Sequence, residues 1–245
     1  MSFLKNHPFA VETFFRNSLV LTYALPEEDV ADLIPECLLA DTFEDKWAFL
    51  AIALVDTKKL RPKGFPEWMG NDFILMGVRI FVRYRNKEGK SLRGLYILKS
   101  VTNKRKMSFF GNQFTHYNYT TADIAFSKKG NSISVFSSSS NLDIEVEQGG
   151  ADIKLPSGSP FADWKEARRF AGPLPFTFTY EPEKKKVLII EGVRQHWVPE
   201  PVRVIRSHSG ILNEDRFRNA ILANAFLVSD IPYYWKKGKT EVWKG

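Results

Sequence analysis

Among the 245 residues, few side chains combine a reactive or ligand-gripping group with a setting that would give it work. Arg79 is the first. It interrupts the apolar run Val78-Arg79-Ile80-Phe81-Val82-Arg83, and the two-residue period of a strand puts Arg79, Phe81 and Arg83 on one face, Val78, Ile80 and Val82 on the other. If the Arg79 face lines a cavity, the planar guanidinium is a clamp for a carboxylate or phosphate. Otherwise that face meets solvent, or Arg79 pairs with a structural acid such as Glu67 or Asp72. His116 lies in the aromatic segment Phe114-Thr115-His116-Tyr117-Asn118-Tyr119. An imidazole there can act as acid, base or hydrogen-bond donor, with Phe114 and Tyr117 as neighbouring ligand contacts; an ordinary buried or surface histidine fits the same position. Lys99, on one strand face with Leu95 and Ile97 in Gly94-Leu95-Tyr96-Ile97-Leu98-Lys99-Ser100, is the candidate for a desolvated amine. The alternative is a lysine that ends its strand and reaches back to water. The cluster Asn103-Lys104-Arg105-Lys106 offers either an anion site at a helix start or a solvated turn.

Other chemistries lack their residues. The four histidines, at 7, 116, 196 and 208, have no metal-ligand spacing to one another, so no metal is expected. The lone Cys37 allows neither an intramolecular disulfide nor a Cys-x-x-Cys site, which favours a reducing compartment and a cytoplasmic location. There is no Gly-x-Ser-x-Gly elbow, no phosphate-binding Walker loop and no dinucleotide fingerprint, so no cofactor is expected. Glu145 and Glu147 share a strand face within Asp143-Ile144-Glu145-Val146-Glu147, a polar setting that suits a solvated edge better than an acid/base pair.

Composition and pattern say what must position these residues. There are 35 Lys and Arg against 28 Asp and Glu, a formal net charge of +7, with 14% aromatic residues. Such a surplus would suit nucleic acid, anionic ligands or a soluble surface. Of the basic runs at 58–59, 104–106, 128–129, 184–186 and 236–237, several sit beside Gly, Pro or Asn where turns are expected, which favours solvated turn tips over a nucleic-acid footprint. Period-two alternation predicts strands over roughly 11–24, 47–56, 73–85, 92–101, 115–127, 131–138, 143–148, 174–181, 185–191, 196–207 and 220–228. Short helices are predicted after Pro26, from Ser159-Pro160 to Gly172-Pro173, and over 103–110. The fold class is therefore α+β and predominantly β: one large antiparallel or mixed sheet, curled or closed, with a few short peripheral helices. The segments 58–72 and 148–160 read as long loops, since a boundary at either would leave exposed sheet edges, and residues 1–245 are expected to form a single domain. The longest apolar run, Ala48 to Val55, is too short to span a bilayer, and Lys5, Asn6, His7 and Pro8 break up any leader, so neither membrane insertion nor secretion is expected.

From Leu39 to Arg83 the chain reads as strand, Pro/Gly loop and strand: LADTFEDKWAFLAIALVDTKKLRPKGFPEWMGNDFILMGVRIFVR. This resembles the bacterial family catalogued as domain of unknown function 2071, with its aspartate-Thr-Phe turn, hydrophobic strand, Pro-rich loop and Phe-x-Glu-x-Asn-x-Arg-Thr-Tyr-Val strand. The resemblance continues at Gly94-Leu95-Tyr96, Phe109 to Tyr119, Pro160 to Trp164, His196-Trp197, Ile231-Pro232-Tyr233-Tyr234 and Val242-Trp243. That family is similar to acetoacetate decarboxylases, which implies a β-rich cone or barrel around an apolar cavity. It also implies a Schiff-base lysine whose amine is made available by a second lysine, with carboxylates and an arginine nearby. Carried over residue by residue, Arg79 keeps the family's arginine, while Leu75 stands where the glutamate would be. Gly111-Asn112-Gln113-Phe114-Thr115-His116 stands where a Gly-x-Pro-Lys-Lys motif would place both lysines. The expected function is thus the binding of a small organic ligand, a carboxylate where Arg79 meets it, in an apolar cavity. The alternatives are a decarboxylase-like lyase or hydrolase using His116 and Arg79, or Lys99 or Lys106 as the amine, and a basic nucleic-acid-binding protein. A homo-oligomer is compatible with all three.

Overall fold

The computed structural model describes residues 2–149, 153–172 and 174–244. Its strands are β1 (Val11–Pro26), β2 (Leu39–Ala40), β3 (Trp47–Pro62), β4 (Asn71–Arg85), β5 (Ser91–Thr102), β6 (Tyr119–Thr121), β7 (Ala125–Lys129), β8 (Ser132–Ser137), β9 (Leu142–Gln148), β10 (Phe176–Glu181), β11 (Lys186–Arg194), β12 (Glu200–Ser209), β13 (Ile221–Trp235) and β14 (Lys239–Val242). Four short helices accompany them: α1 (Ser2–Lys5), α2 (Glu28–Ala31), α3 (Arg105–Phe114) and α4 (Trp164–Phe170). The fold is mostly β, as the alternation predicts. Among the described residues no helix is long and apolar enough to cross a membrane.

All the strands join one mixed sheet, antiparallel except where β5 pairs with β10 and β6. Hydrogen bonding runs β11-β10-β5-β4-β3-β1-β13, and β11 then pairs with β13 through Gly192–Trp235, Val193–Tyr234 and Arg194–Tyr233. The sheet therefore curls into a ring. The strands β12, β9, β8 and β7 continue from β13 as an extension. Burial follows the two faces. Leu21, Ile52, Val78, Ile80 and Val82 pack with Ile133, Ile144 and Val146 of the extension. The opposite face carries two separate clusters, Phe49, Phe81 and Phe161 with α4 in one, and Phe15, Val55 and Phe226 in the other.

The departures from the sequence reading have local causes. The predicted strand over 115–127 is split, because β6 pairs with β5 whereas β7 pairs with β8. The chain turns between them, where Asp123 accepts hydrogen bonds from the Ser137 hydroxyl and the Ser139 amide at 2.7 and 3.0 Å. The helix predicted from Ser159 starts later: Asp163 caps α4 by accepting from the Glu166 amide at 2.7 Å, as N-caps do. The Ser159 hydroxyl donates instead to the Ala223 carbonyl at 2.8 Å, tying that loop to β13. The 58–72 loop is shorter than expected, with β3 running to Pro62 and β4 starting at Asn71. Residues 150–152 of the second loop, and Pro173 at the expected helix end, lie outside the described residues. The basic turns are interleaved with acids: Lys58 meets Asp56 at 3.0 Å, Lys184 meets Glu181 at 2.6 Å and Lys236 meets Glu191 at 2.9 Å.

Candidate functional site

The site is built around β4. Arg79 faces away from Val78 and Ile80, on the side that carries the two aromatic clusters. Its cross-strand row is Ile97 on β5, Ala51 on β3, Thr22 on β1 and Asn224 on β13. Gly77, two residues earlier on the same face, leaves the space the side chain needs. A Cβ at Gly77 would stand 2.9 Å from Arg79 Nε, so the guanidinium lies back along its own strand. Small residues border it: Ala51 and Ala53 on β3, and Ser100 opposite Gly77 on β5. They separate the aromatic cluster under α4 from the one around Phe15.

Three tyrosines converge on this arginine. Tyr119 pairs with Ser100, and α3 packs over its ring so closely that a Cβ at Gly111 would lie 2.5 Å from it. Tyr117, two residues before, lies beside Thr177 of β10. Tyr233 comes from β13, and its hydroxyl sits in the niche left by Gly192, where a Cβ would be only 1.8 Å away. Side chains from β4 and β13, separated by two strands, approach one another only on the concave side of a ring, so this face is the interior.

Burial sets the protonation states. It is the main influence lowering the Arg79 pKa, opposed by the phenols of Tyr233, Tyr119 and Tyr117. Burial likewise raises Tyr119 to about 12, and raises Tyr117 and Tyr233. The hydroxyls therefore keep their protons at neutral pH and can donate. Among the described residues no carboxylate pairs with Arg79, and its buried Nε has no hydrogen-bond partner. Thr22 Oγ1 and Asn224 Oδ1 on the same row also lack partners. Arg79, Tyr117, Tyr119 and Tyr233 are enclosed by protein yet each keeps part of its surface uncovered. Beside them an open groove of about 730 Å³, lined by Glu12, Arg16, Lys58 and Arg61, reaches Arg194 and Tyr233.

Of the residues singled out in the sequence, Arg79 and Tyr117 come together here. Phe114 does not join them; it packs edge-on against Phe9 at 5.2 Å between ring centres. His116 lies 3.4 Å from Asn6 Oδ1 and 3.7 Å from Glu181 Oε1, with its pKa lowered by burial. Lys99 and Lys106 are exposed, so neither has the desolvation a reactive amine needs. For Lys99 the cause is a bulge: Ile97 pairs with Arg79 but Lys99 pairs with Val78, so the two fall on opposite faces. Glu67 and Asp72, the structural acids considered for Arg79, are engaged elsewhere, Glu67 with Lys59 and Asp72 with Lys58 at 3.7 Å. Sequence reasoning missed Tyr233 and Arg194. A signal existed, since Gly-Val-Arg occurs at 77–79 and again at 192–194.

Comparison with known proteins gives the same fold. The DUF2071 family, described as "Uncharacterized conserved protein", matches residues 13–232. No curated protein matches. The acetoacetate decarboxylase of Legionella pneumophila superposes with a TM-score of 0.61 at 11% identity, covering 96% of this chain and 88% of that one. An acetoacetate decarboxylase-like enzyme from Sphingomonas wittichii gives 0.58 at 9% identity, covering 98% and 94%. The enduracididine biosynthesis enzyme MppR, in a structure complexed with pyruvate, gives 0.52 at 10% identity, covering 95% and 88%.

Proposed function

The chain belongs to the DUF2071 family of uncharacterized proteins, and on that premise we propose that it binds a small organic carboxylate inside its ring of strands, held by Arg79. One observation carries this reading: a guanidinium enclosed by protein with no carboxylate beside it. A largely enclosed charge without a partner is costly, and the part of Arg79 left uncovered is where a partner can reach it. A ligand carboxylate supplies that partner. The planar fork accepts it with two parallel hydrogen bonds, and the protonated tyrosines add donors. The aromatic clusters on either side of this row suit the carbon skeleton of such a ligand. The pyruvate carried by MppR, a protein of like fold, is of the same chemical class.

Binding and hydrogen-bond polarisation are within reach of these groups. Schiff-base chemistry is not, because it needs an unprotonated amine at the carbonyl and the candidate lysines face solvent. The test is thermal unfolding with acetate, propionate, butyrate, pyruvate and acetoacetate at constant ionic strength. At a hundredfold excess over Kd, one bound ligand adds about 2.7 kcal/mol, which raises Tm by about 5–10 °C for a chain of this size. At least one acid should do so in the native protein and none in Arg79→Met. If no acid shifts Tm, or if the shift survives in Arg79→Met, the proposal is wrong.

A further inference from the structure

A second arginine repeats the circumstances of Arg79. Arg194 lies at the end of β11, directly across from Tyr233 where the ring closes. Burial lowers its pKa, against the opposing influence of Tyr233, whose ring centre lies 5.9 Å from the guanidinium. Its guanidinium stacks 4.8 Å from the centre of the Trp197 ring. No described carboxylate pairs with it. Both arginines act on the Tyr233 phenol, which burial pushes up and which each guanidinium pulls back down. The local construction is the same twice over, Gly-Val-Arg on a strand. In β4 the glycine makes room for the arginine itself; in β11 it makes room for the hydroxyl of Tyr233, the residue paired with Arg194.

We infer that the ligand of this site is a short dicarboxylate, with one carboxylate on Arg79, the other on Arg194, and the Tyr233 hydroxyl between them. The inference rests on the carboxylate reading above and narrows it. Two guanidiniums that both act on one neutral phenol repel each other, and a monocarboxylate would neutralise one while leaving the second without a counter-ion. Two negative charges satisfy both. Because the cations stand on different strands of the ring, β4 and β11, the complementary ligand has two ends; a single tetrahedral anion presents its charge at one point. Placement gives the ends an order. Arg194 and Tyr233 line the open groove and Arg79 does not, so the outer carboxylate meets Arg194 near the mouth and the inner one reaches Arg79.

Calorimetric titration with acids matched in carbon number tests this: succinate against butyrate, glutarate against valerate, with inorganic phosphate as a further arm, all at one ionic strength. A second fully engaged, charge-assisted contact is worth about tenfold or more in affinity. The native protein should therefore bind one dicarboxylate at least tenfold more tightly than its matched monocarboxylate. In Arg194→Gln that ratio should fall to near one. Should Arg194→Gln fail to fold, Arg194→Lys provides the reading: a point charge that cannot stack on Trp197 lowers the ratio without abolishing it. Equal affinity for the matched acids in the native protein, or an unchanged ratio in the variants, overturns the dicarboxylate and leaves the carboxylate reading standing. Phosphate binding most tightly overturns the two-ended geometry. No binding by any acid refutes both.

Discussion

Arg79 and Arg83 stand four residues apart on the same face of β4, and they have opposite surroundings. Arg83 meets a resident carboxylate: Asp41, fully enclosed, takes Arg83 on one oxygen and Arg93 on the other, the latter at 2.6 Å. Arg93 also donates to the Phe170 carbonyl at 2.9 Å and lies 4.6 Å from the Phe170 ring centre. The acid thus ties β2, β4 and β5 to the end of α4. Arg79 meets only phenols. One strand face therefore carries a charge that folding has neutralised and a charge that folding has left open. The difference separates two uses of a buried cation, holding the structure together and waiting for an anion.

The comparison breaks most visibly at Asp41. Removing one member of a buried ion pair costs about 3–5 kcal/mol. Because Arg83 and Arg93 remain 44% and 31% exposed, the low end applies, and Asp41→Asn should lose about 3 kcal/mol in urea unfolding. A loss under about 1 kcal/mol would show that the cluster is ordinary surface pairing.

Arg79→Met should move stability the other way. In the ligand-free protein it replaces an uncompensated guanidinium by an apolar side chain of similar length, which is neutral or stabilising by about 1–2 kcal/mol where buried charges have been so replaced. Carboxylate binding should vanish in the same variant. Functional groups that lower the stability of the unliganded protein behave in this manner. A loss of stability comparable with that of Asp41→Asn would make Arg79 structural and erase the contrast.

How far the sequence revealed all this depends on range. Period two was enough to put Arg79 on a face with Phe81 and Arg83, and alternation across the chain was enough for one large antiparallel or mixed sheet, curled or closed. Both are local patterns. Lys99 was misplaced because pairing, and not its own neighbours, creates the bulge beside Arg79. His116 was placed near the ligand because it lies between aromatic residues. The backbone turns its ring toward Asn6 and Glu181, which are 110 and 65 positions away in sequence. Tyr233 and Arg194 stayed hidden because the closure of β11 on β13 joins them to Arg79, and no spacing within one strand encodes that closure. The identity of Asp41 as the partner of Arg83 and Arg93 was equally invisible, although its absence from the Arg79 row is what gives that row its chemistry.

The smallest effect on stability, and the sharpest on the comparison, belongs to Gly77→Ala. Its backbone is ordinary strand, so alanine meets no conformational penalty there, and replacing glycine within a strand gains about 0.5–1 kcal/mol. Against this, the new Cβ would lie 2.9 Å from Arg79 Nε and 3.1 Å from Nη2. The obstruction is the far end of a flexible side chain, so the guanidinium shifts and little else does. The two terms nearly offset, and stability should stay within about 1 kcal/mol of the native value. Affinity responds differently, because a fork displaced by several tenths of an ångström loses alignment with a carboxylate whose position the tyrosines also fix. Loss of one such charge-assisted bond, about 1.5 kcal/mol, weakens binding about tenfold. The Asp41 cluster, whose β4 member Arg83 is six residues along the strand, has no stake in Gly77. If Gly77→Ala binds carboxylates as the native protein does, the position in which Arg79 rests along its own strand is not the one in which it holds a ligand. Arg79 would then have to swing away from β4 to bind, and affinity would become sensitive to Tyr117 and Tyr119 in place of Gly77.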